Sequence, residues 1–222
     1  MNNHVTTHQN NSVHGDDSLL TVVINENITI DAVMDGVTDH GGAEASSAVR
    51  DRIELDHPIT SNSMQDLLND LNTEFYQVGG GRFLLTTASI AITSSSHLYV
   101  IAVGDSPVYL IRMGEFSQLS GRIGGLLRLN SSSAIGAKDS LTFQTYDSPV
   151  SAGDRLLIVS DGISDNLELN EIKEFMLDSE STQELSQILE TTSSERTQRG
   201  GTPASMRGRV RNDDRSIIAR FF

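Results

Sequence analysis

Residues 155–167 read RLLIVSDGISDNL. Leu156 to Val159 are four consecutive apolar residues, the pattern of a short strand buried on both faces. That strand runs directly into Ser160-Asp161-Gly162. An Asp placed where a rigid strand gives way to a glycine turn holds its carboxylate fixed, with room beside it for a second piece of backbone. Divalent-cation chemistry asks for that arrangement. The same signature occurs earlier, where Ile28 to Met34 lead into Asp35-Gly36. Two strand-Asp-Gly ends in one domain point to two carboxylates converging on one site.

Outward from these strands, the chain divides into blocks. Residues 1–15 are polar and rich in Asn and His, and are expected to form a mobile N-terminal arm, leaving residues 16–222 as a single domain. His4, His8 and His14 accordingly read as solvated tail residues rather than metal ligands. Leu19 to Ile24 and Ile28 to Met34 form a hairpin across Asn25-Glu26-Asn27. Ala45, Ala48, Val49 and Ile53 lie on one helical face, and Met64, Leu67, Leu68, Leu71 and Phe75 on a second, which ends at Gly79. Four strands are expected at 82–93, 98–103, 108–112 and 116–119, with the tight turn Gly104-Asp105-Ser106-Pro107 between the second and third. Residues 120–140 read as irregular, 141–146 as a strand, 171–177 and 183–190 as helices, 193–212 as a Gly/Ser/Arg-rich loop and 216–221 as a closing strand. Strands and helices come in blocks rather than in strict alternation, so the fold class is α+β.

Composition narrows the function. The 222 residues are 37% hydrophobic, enough for one sizeable core. With 30 acidic against 16 basic residues the formal charge is −14, which disfavours general binding to nucleic acid and favours divalent cations where carboxylates cluster. The absence of cysteine excludes disulfides, thiolate zinc sites and cysteine nucleophiles. No apolar run approaches membrane-spanning length and MNNHVTTHQNN lacks the apolar core of a signal peptide, so a cytoplasmic protein that does not enter the membrane is expected.

Besides Asp35 and Asp161, acidic residues stand at three more strand ends or turns: Asp16-Asp17, Asp105 and Asp213-Asp214. Any one of them suits a cap or turn. Five at comparable places do not stay ionised at close quarters without cations, because like charges raise one another's pKa. Hard oxygen donors of this kind suit Mg²⁺ or Mn²⁺.

With these residues in place the chain resembles the protein phosphatase 2C family of metal-dependent serine/threonine phosphatases, in its compact bacterial form. The matching segments run in family order: GDDS, AVMDGVTDHGGAEAS, LLTTASIAI, LYVIAVGDSPVYLIRMGEFSQLS, GDRLLIVSDGISDNL and NDDRSIIARFF. The resemblance implies two central antiparallel sheets sandwiched between helices. It implies two Mg²⁺ or Mn²⁺ ions, with Asp35 bridging both, the Gly36 carbonyl binding one, Asp161 and Asp213 completing the other's shell, and Asp17 holding metal-bound water. A third, weaker ion would use Asp105 and Asp161. The implied activity is hydrolysis of phosphoserine and phosphothreonine in a protein substrate by metal-activated water, with a metal-bound water as leaving-group acid and no phosphoenzyme, in a protein expected to be monomeric.

The pattern also departs from the family. Where the family usually places a phosphate-gripping Arg, five residues before the Asp matched by Asp17, this chain has Ser12, and no Lys or Arg precedes Arg50. A substitute cation would have to come from His14 or from Arg196, Arg199, Arg207, Arg209 and Arg211. The usual Asn after the last metal Asp is Asp214, which leaves Asp213 and Asp214 both open as the ligand, with the spacing to Ser216 favouring Asp213. Val37 stands where eukaryotic relatives often carry a His, with His40 nearby, and the stretch between Leu119 and Ala134 is shorter than the usual flap. The missing Arg motivates a competing reading, a catalytically weak phosphatase-like module acting in regulation or protein interaction. A calcium-binding structural domain is the weakest alternative, since no EF-hand spacing occurs.

Overall fold

The computed structural model describes residues 4–94, 96–122, 134–199, 203, 206 and 209–222. Its strands are β1 (His4–Asn10), β2 (Ser18–Asn25), β3 (Ile28–Met34), β4 (Ala88–Ser94), β5 (His97–Val103), β6 (Val108–Arg112), β7 (Glu115–Gln118), β8 (Gln144–Pro149), β9 (Arg155–Val159) and β10 (Arg215–Phe221). They form two five-stranded antiparallel sheets, ordered β1-β10-β9-β6-β7 and β2-β3-β4-β5-β8. Helices α1 (Gly42–Asp56) and α2 (Ser61–Gly79) cover the β3 sheet, and α4 (Leu169–Asp178) and α5 (Thr182–Arg199) cover the β9 sheet. One turn of helix, α3 (Asp161–Ser164), follows β9.

The period-two alternation of strand side chains accounts for the four layers. On β9, Leu157 and Val159 pack under α4 and α5, whereas Leu156 and Ile158 meet the opposite sheet. On β3, Ile30, Ala32 and Met34 pack under α1 and α2, and Val33 meets the opposite sheet. Each central strand is therefore apolar on both faces, as the run Leu156–Val159 requires. The inter-sheet layer also holds a buried ion pair. Arg220 on β10 donates from Nε and Nη2 to Asp31 on β3 at 2.6 and 2.8 Å, and Thr21 donates to the same carboxylate at 3.0 Å.

Several expectations need correction. Within the stretch read as a mobile arm, His4–Asn10 is instead a strand that pairs antiparallel with the whole of β10, from His4 opposite Phe221 to Asn10 opposite Arg215. Strand β10 is buried from Arg215 to Arg220 and would otherwise leave a row of unpaired backbone groups, which a polar strand satisfies as well as an apolar one. Strand β4 begins at Ala88 rather than 82, because Leu84 turns the chain through φ 58° and Thr86 bridges to Gly36 and Ile135. Strand β8 lies three residues later than 141–146. It is an edge strand of alternating exposure, so its pairing with β5 sets its bounds more than its composition does. Helix α5 continues to Arg199, into the stretch read as loop from 193, because Leu185 and Leu189 anchor it on the β9 sheet. The short flap expected between Leu119 and Ala134 falls mainly on residues 123–133, outside the described residues.

Candidate metal centre

The ends of β3 and β9 lie side by side, and each Asp-Gly meets an Asp-Asp from elsewhere in the chain. A Cβ on Gly36 would stand 2.5 Å from the carbonyl oxygen of Asp16, and one on Gly162 would stand 1.9 Å from that of Asp214. Only glycine permits these approaches, which bring Asp35 beside Asp17 and Asp161 beside Asp213. The backbone N–H of Asp161 then points at Oδ2 of Asp35, at 3.4 Å, and the Ser106 hydroxyl reaches the same oxygen at 3.4 Å.

The backbone around each carboxylate is tied down. Thr87 donates from its N–H to the Asp35 carbonyl at 2.7 Å, and the Thr86 hydroxyl donates to that carbonyl at 3.0 Å. Gln9 and Asn11 both donate to the Asp17 carbonyl, at 2.7 and 2.8 Å. Sequence reading did not single out Thr86, Thr87, Ser106, Gln9 or Asn11. The Thr-Thr pair before β4 was the one visible signal, since two hydroxyls at a strand start serve backbone more than core.

The loop before β2 distinguishes Asp214 from Asp213. The Asp214 carboxylate accepts four backbone N–H groups: Val13 and His14 on Oδ1 at 3.0 and 3.1 Å, Gly15 and Asp16 on Oδ2 at 2.6 and 2.9 Å. Burial pushes its pKa up, but these donors bring it below the ordinary carboxylate value. Asp214 is thus engaged as the anchor of the loop. Asp213 accepts a single backbone N–H, from Asp214 at 2.9 Å, and its Oδ1 lies 3.8 Å from His14 Nε2.

The electrostatics are those of carboxylates short of cations. Burial, then Asp161, Asp17 and Asp105, raise the Asp35 carboxyl well above the usual range. Burial pushes Asp17 and Asp161 each up to about 7, with further contributions from neighbouring carboxylates. Asp213 is also raised, burial being the main cause. Oδ2 of Asp17 is buried without a hydrogen-bond partner. Among the described residues, no three acidic or histidine side chains are disposed to hold one ion as they stand. The cluster is brought together by the close backbone approaches at Gly36 and Gly162. A buried, unpartnered carboxylate oxygen amid mutually repelling carboxylates nevertheless fits a hard divalent cation. Two described clefts lie elsewhere, one between β1 and α5 and one where the start of α2 faces β8.

The candidate substitute cations are mostly engaged. Arg196 pairs with Glu171 and donates to the Asn166 carbonyl at 2.8 Å. Arg209 faces Asp165 at 3.6 Å, and the Arg211 charge lowers the Asp213 pKa. Arg207 and the side chain of Arg199 lie outside the described residues. His4 and His8 sit on β1, His8 facing Glu190 at 3.6 Å, and His40 binds the Arg82 carbonyl at 2.7 Å through Nδ1. The cation that sequence reading missed is Arg122, which pairs with Asp105 and lies 3.4 Å from Asp165. Its signal was positional, because a hairpin that closes β6 onto β7 returns the chain to the turn at Asp105.

Known proteins share this architecture. Superposition on the serine/threonine phosphatase of S. agalactiae gives a TM-score of 0.79 at 15% identity, covering 99% of each chain. The serine/threonine phosphatase Stp1 of Staphylococcus aureus gives 0.78 at 17% identity, covering 98% of this chain and 94% of that one. RsbX, solved in complex with magnesium, gives 0.71 at 18% identity over 99% and 96%. Among curated proteins none matches the sequence. The family model of stage II sporulation protein E (SpoIIE) matches residues 31–220, a span running from β3 to the end of β10 and including Asp35, Asp161 and Asp213. The chain therefore belongs to the SpoIIE family, and its fold is that of the bacterial protein phosphatase 2C enzymes.

Proposed function

We propose that the chain is a Mg²⁺- or Mn²⁺-dependent phosphatase acting on phosphoserine and phosphothreonine in a protein substrate. One observation carries this reading. Two Asp-Gly turns are each packed against an Asp-Asp pair, which gathers Asp17, Asp35, Asp161 and Asp213 around a buried, unpartnered carboxylate oxygen. At neutral pH such a cluster is relieved either by taking up protons or by a cationic partner, and its hard oxygen donors suit a divalent cation.

In this reading Asp35, the Gly36 carbonyl, Asp161 and Asp213 would hold two divalent ions, with Asp17 in the surrounding shell. When bound, the ions supply a water of lowered pKa as nucleophile and offset charge on the phosphoryl oxygens. The chain's own residues do the rest. Asp214 fixes the loop carrying Asp17, and the Thr86 and Thr87 bonds hold Asp35. The Asp161 N–H and Ser106 hydroxyl orient the Asp35 carboxylate. That fold neighbours include serine/threonine phosphatases, one of them crystallised with magnesium, supports the reading. The absence of cysteine accords with a reducing compartment, and the charge of −14 with a protein that does not bind nucleic acid.

The test is Mn²⁺-dependent release of phosphate from a phosphoserine or phosphothreonine peptide. Asp35→Asn should lower the rate by roughly 100-fold or more. Equal rates for variant and wild type across a Mn²⁺ titration would sink the site. Ser12, exposed and without charge at the mouth of the loop, favours a second reading, a weakly catalytic regulatory module. Binding of phosphopeptide without turnover would establish that one instead.

A further inference from the structure

The Asp105 end of the cluster differs from the rest because it already contains a cation. The hairpin of β6 and β7 closes with the Leu119 N–H donating to the Val108 carbonyl at 2.7 Å, and the Val108 N–H donating to the Ser120 hydroxyl at 3.1 Å. Gly121, at φ 86°, lies so close to the turn that a Cβ would stand 2.9 Å from the Asp105 carbonyl oxygen and from Pro107. The next residue is Arg122. Its Nη2 pairs with Asp105 Oδ2, and its Nη1 lies 3.4 Å from Asp165 Oδ2. Asp165 is one turn beyond Asp161, and Arg209 approaches its other oxygen at 3.6 Å.

We infer that Arg122 is the resident cation of the Asp105 end of the site, standing where a third divalent ion would otherwise balance Asp105 and Asp161. The inference rests on the two-ion reading above and alters it: Asp105 is an anchor for Arg122, not a metal ligand. A guanidinium forked across two carboxylates offers directed hydrogen bonds and a charge that never titrates in the physiological range. It also removes Asp105 from the pool of free ligands, because an ion entering there would have to displace a fixed charge at the cost of like-charge repulsion. Half of the Arg122 side chain remains exposed, so the guanidinium keeps donors open to solvent. The charge of neighbouring Asp161 reaches it as well, since Asp105, Asp165 and Asp161 together outweigh the effect of burial on its pKa.

The test is calorimetric titration of Mn²⁺ into the full-length, metal-free protein. Wild type should take up two ions. Arg122→Ala should take up a further, weaker ion, and the double variant Arg122→Ala/Asp105→Asn should return to two. If Arg122→Ala fails to fold by circular dichroism, Arg122→Gln carries the same expectation, since it keeps hydrogen-bonding capacity without the charge. Three ions in wild type, or two in both wild type and the single variant, would overturn the inference while leaving the phosphatase reading intact. No Mn²⁺ uptake by wild type would overturn the metal reading itself and this inference with it.

Discussion

Gly162 shows how little latitude the site has at the residue scale. With the Asp214 carbonyl oxygen 1.9 Å from where a Cβ would be, Gly162→Ala must move backbone, and the backbone in question carries Asp161 on one side and Asp213 on the other. Overpacking of this severity should cost about 3 kcal/mol of stability and abolish tight Mn²⁺ binding, as read by urea denaturation and calorimetry. The carboxylates make a second prediction at this scale. Asp17 and Asp161 are raised from an ordinary value of 3.8 to about 7, so between those values the folded state binds more protons than the unfolded one. Stability is then greatest on the acidic side and falls as pH rises through the folded pKa. In EDTA the melting temperature should drop between about pH 4 and 7, and saturating Mn²⁺ should reverse the drop. A melting temperature that is flat or rising over that window without metal would contradict the assigned burial of these groups.

Elements succeed or fail as supports for those residues. Strand β1 carries no proposed ligand, but Gln9 at its end and Asn11 just beyond it hold the peptide carbonyl of Asp17. The double variant Gln9→Ala/Asn11→Ala should weaken Mn²⁺ binding roughly tenfold while leaving the melting temperature of the metal-free protein nearly unchanged. A change in melting temperature without loss of affinity would assign the pair to folding alone. The same strand marks where sequence reading stops. Buried strands such as β3 and β9 were legible because apolar runs have few alternatives. His4–Asn10 was not, because an edge strand takes its order from its neighbour and shows no pattern of its own. The register of β8 and the extension of α5 escaped for the same reason: partners, not local propensity, set their bounds.

For the whole molecule, the two sheets are locked by one buried charge pair as well as by apolar packing. Arg220→Met would leave the Asp31 carboxyl in the inter-sheet layer without its cation, with the Thr21 hydroxyl still donating to it, and should destabilise the protein by about 3–5 kcal/mol, measured by denaturant unfolding; adding Asp31→Leu should recover most of that. The pair was not foreseen, since an Asp and an Arg 189 positions apart give no local sign of meeting. The proposed ligands were legible because each sits at a strand end beside a glycine or a second Asp. Arg122 was not, because only the closed hairpin brings it to Asp105. The grip of Asp214 on residues 13–16 spans 198 to 201 positions of sequence. On the ribosome, the loop bearing Asp17 therefore lacks its Asp214 anchor until the last strand is made, so a nascent chain cannot complete the carboxylate cluster before β10 has emerged from the exit tunnel.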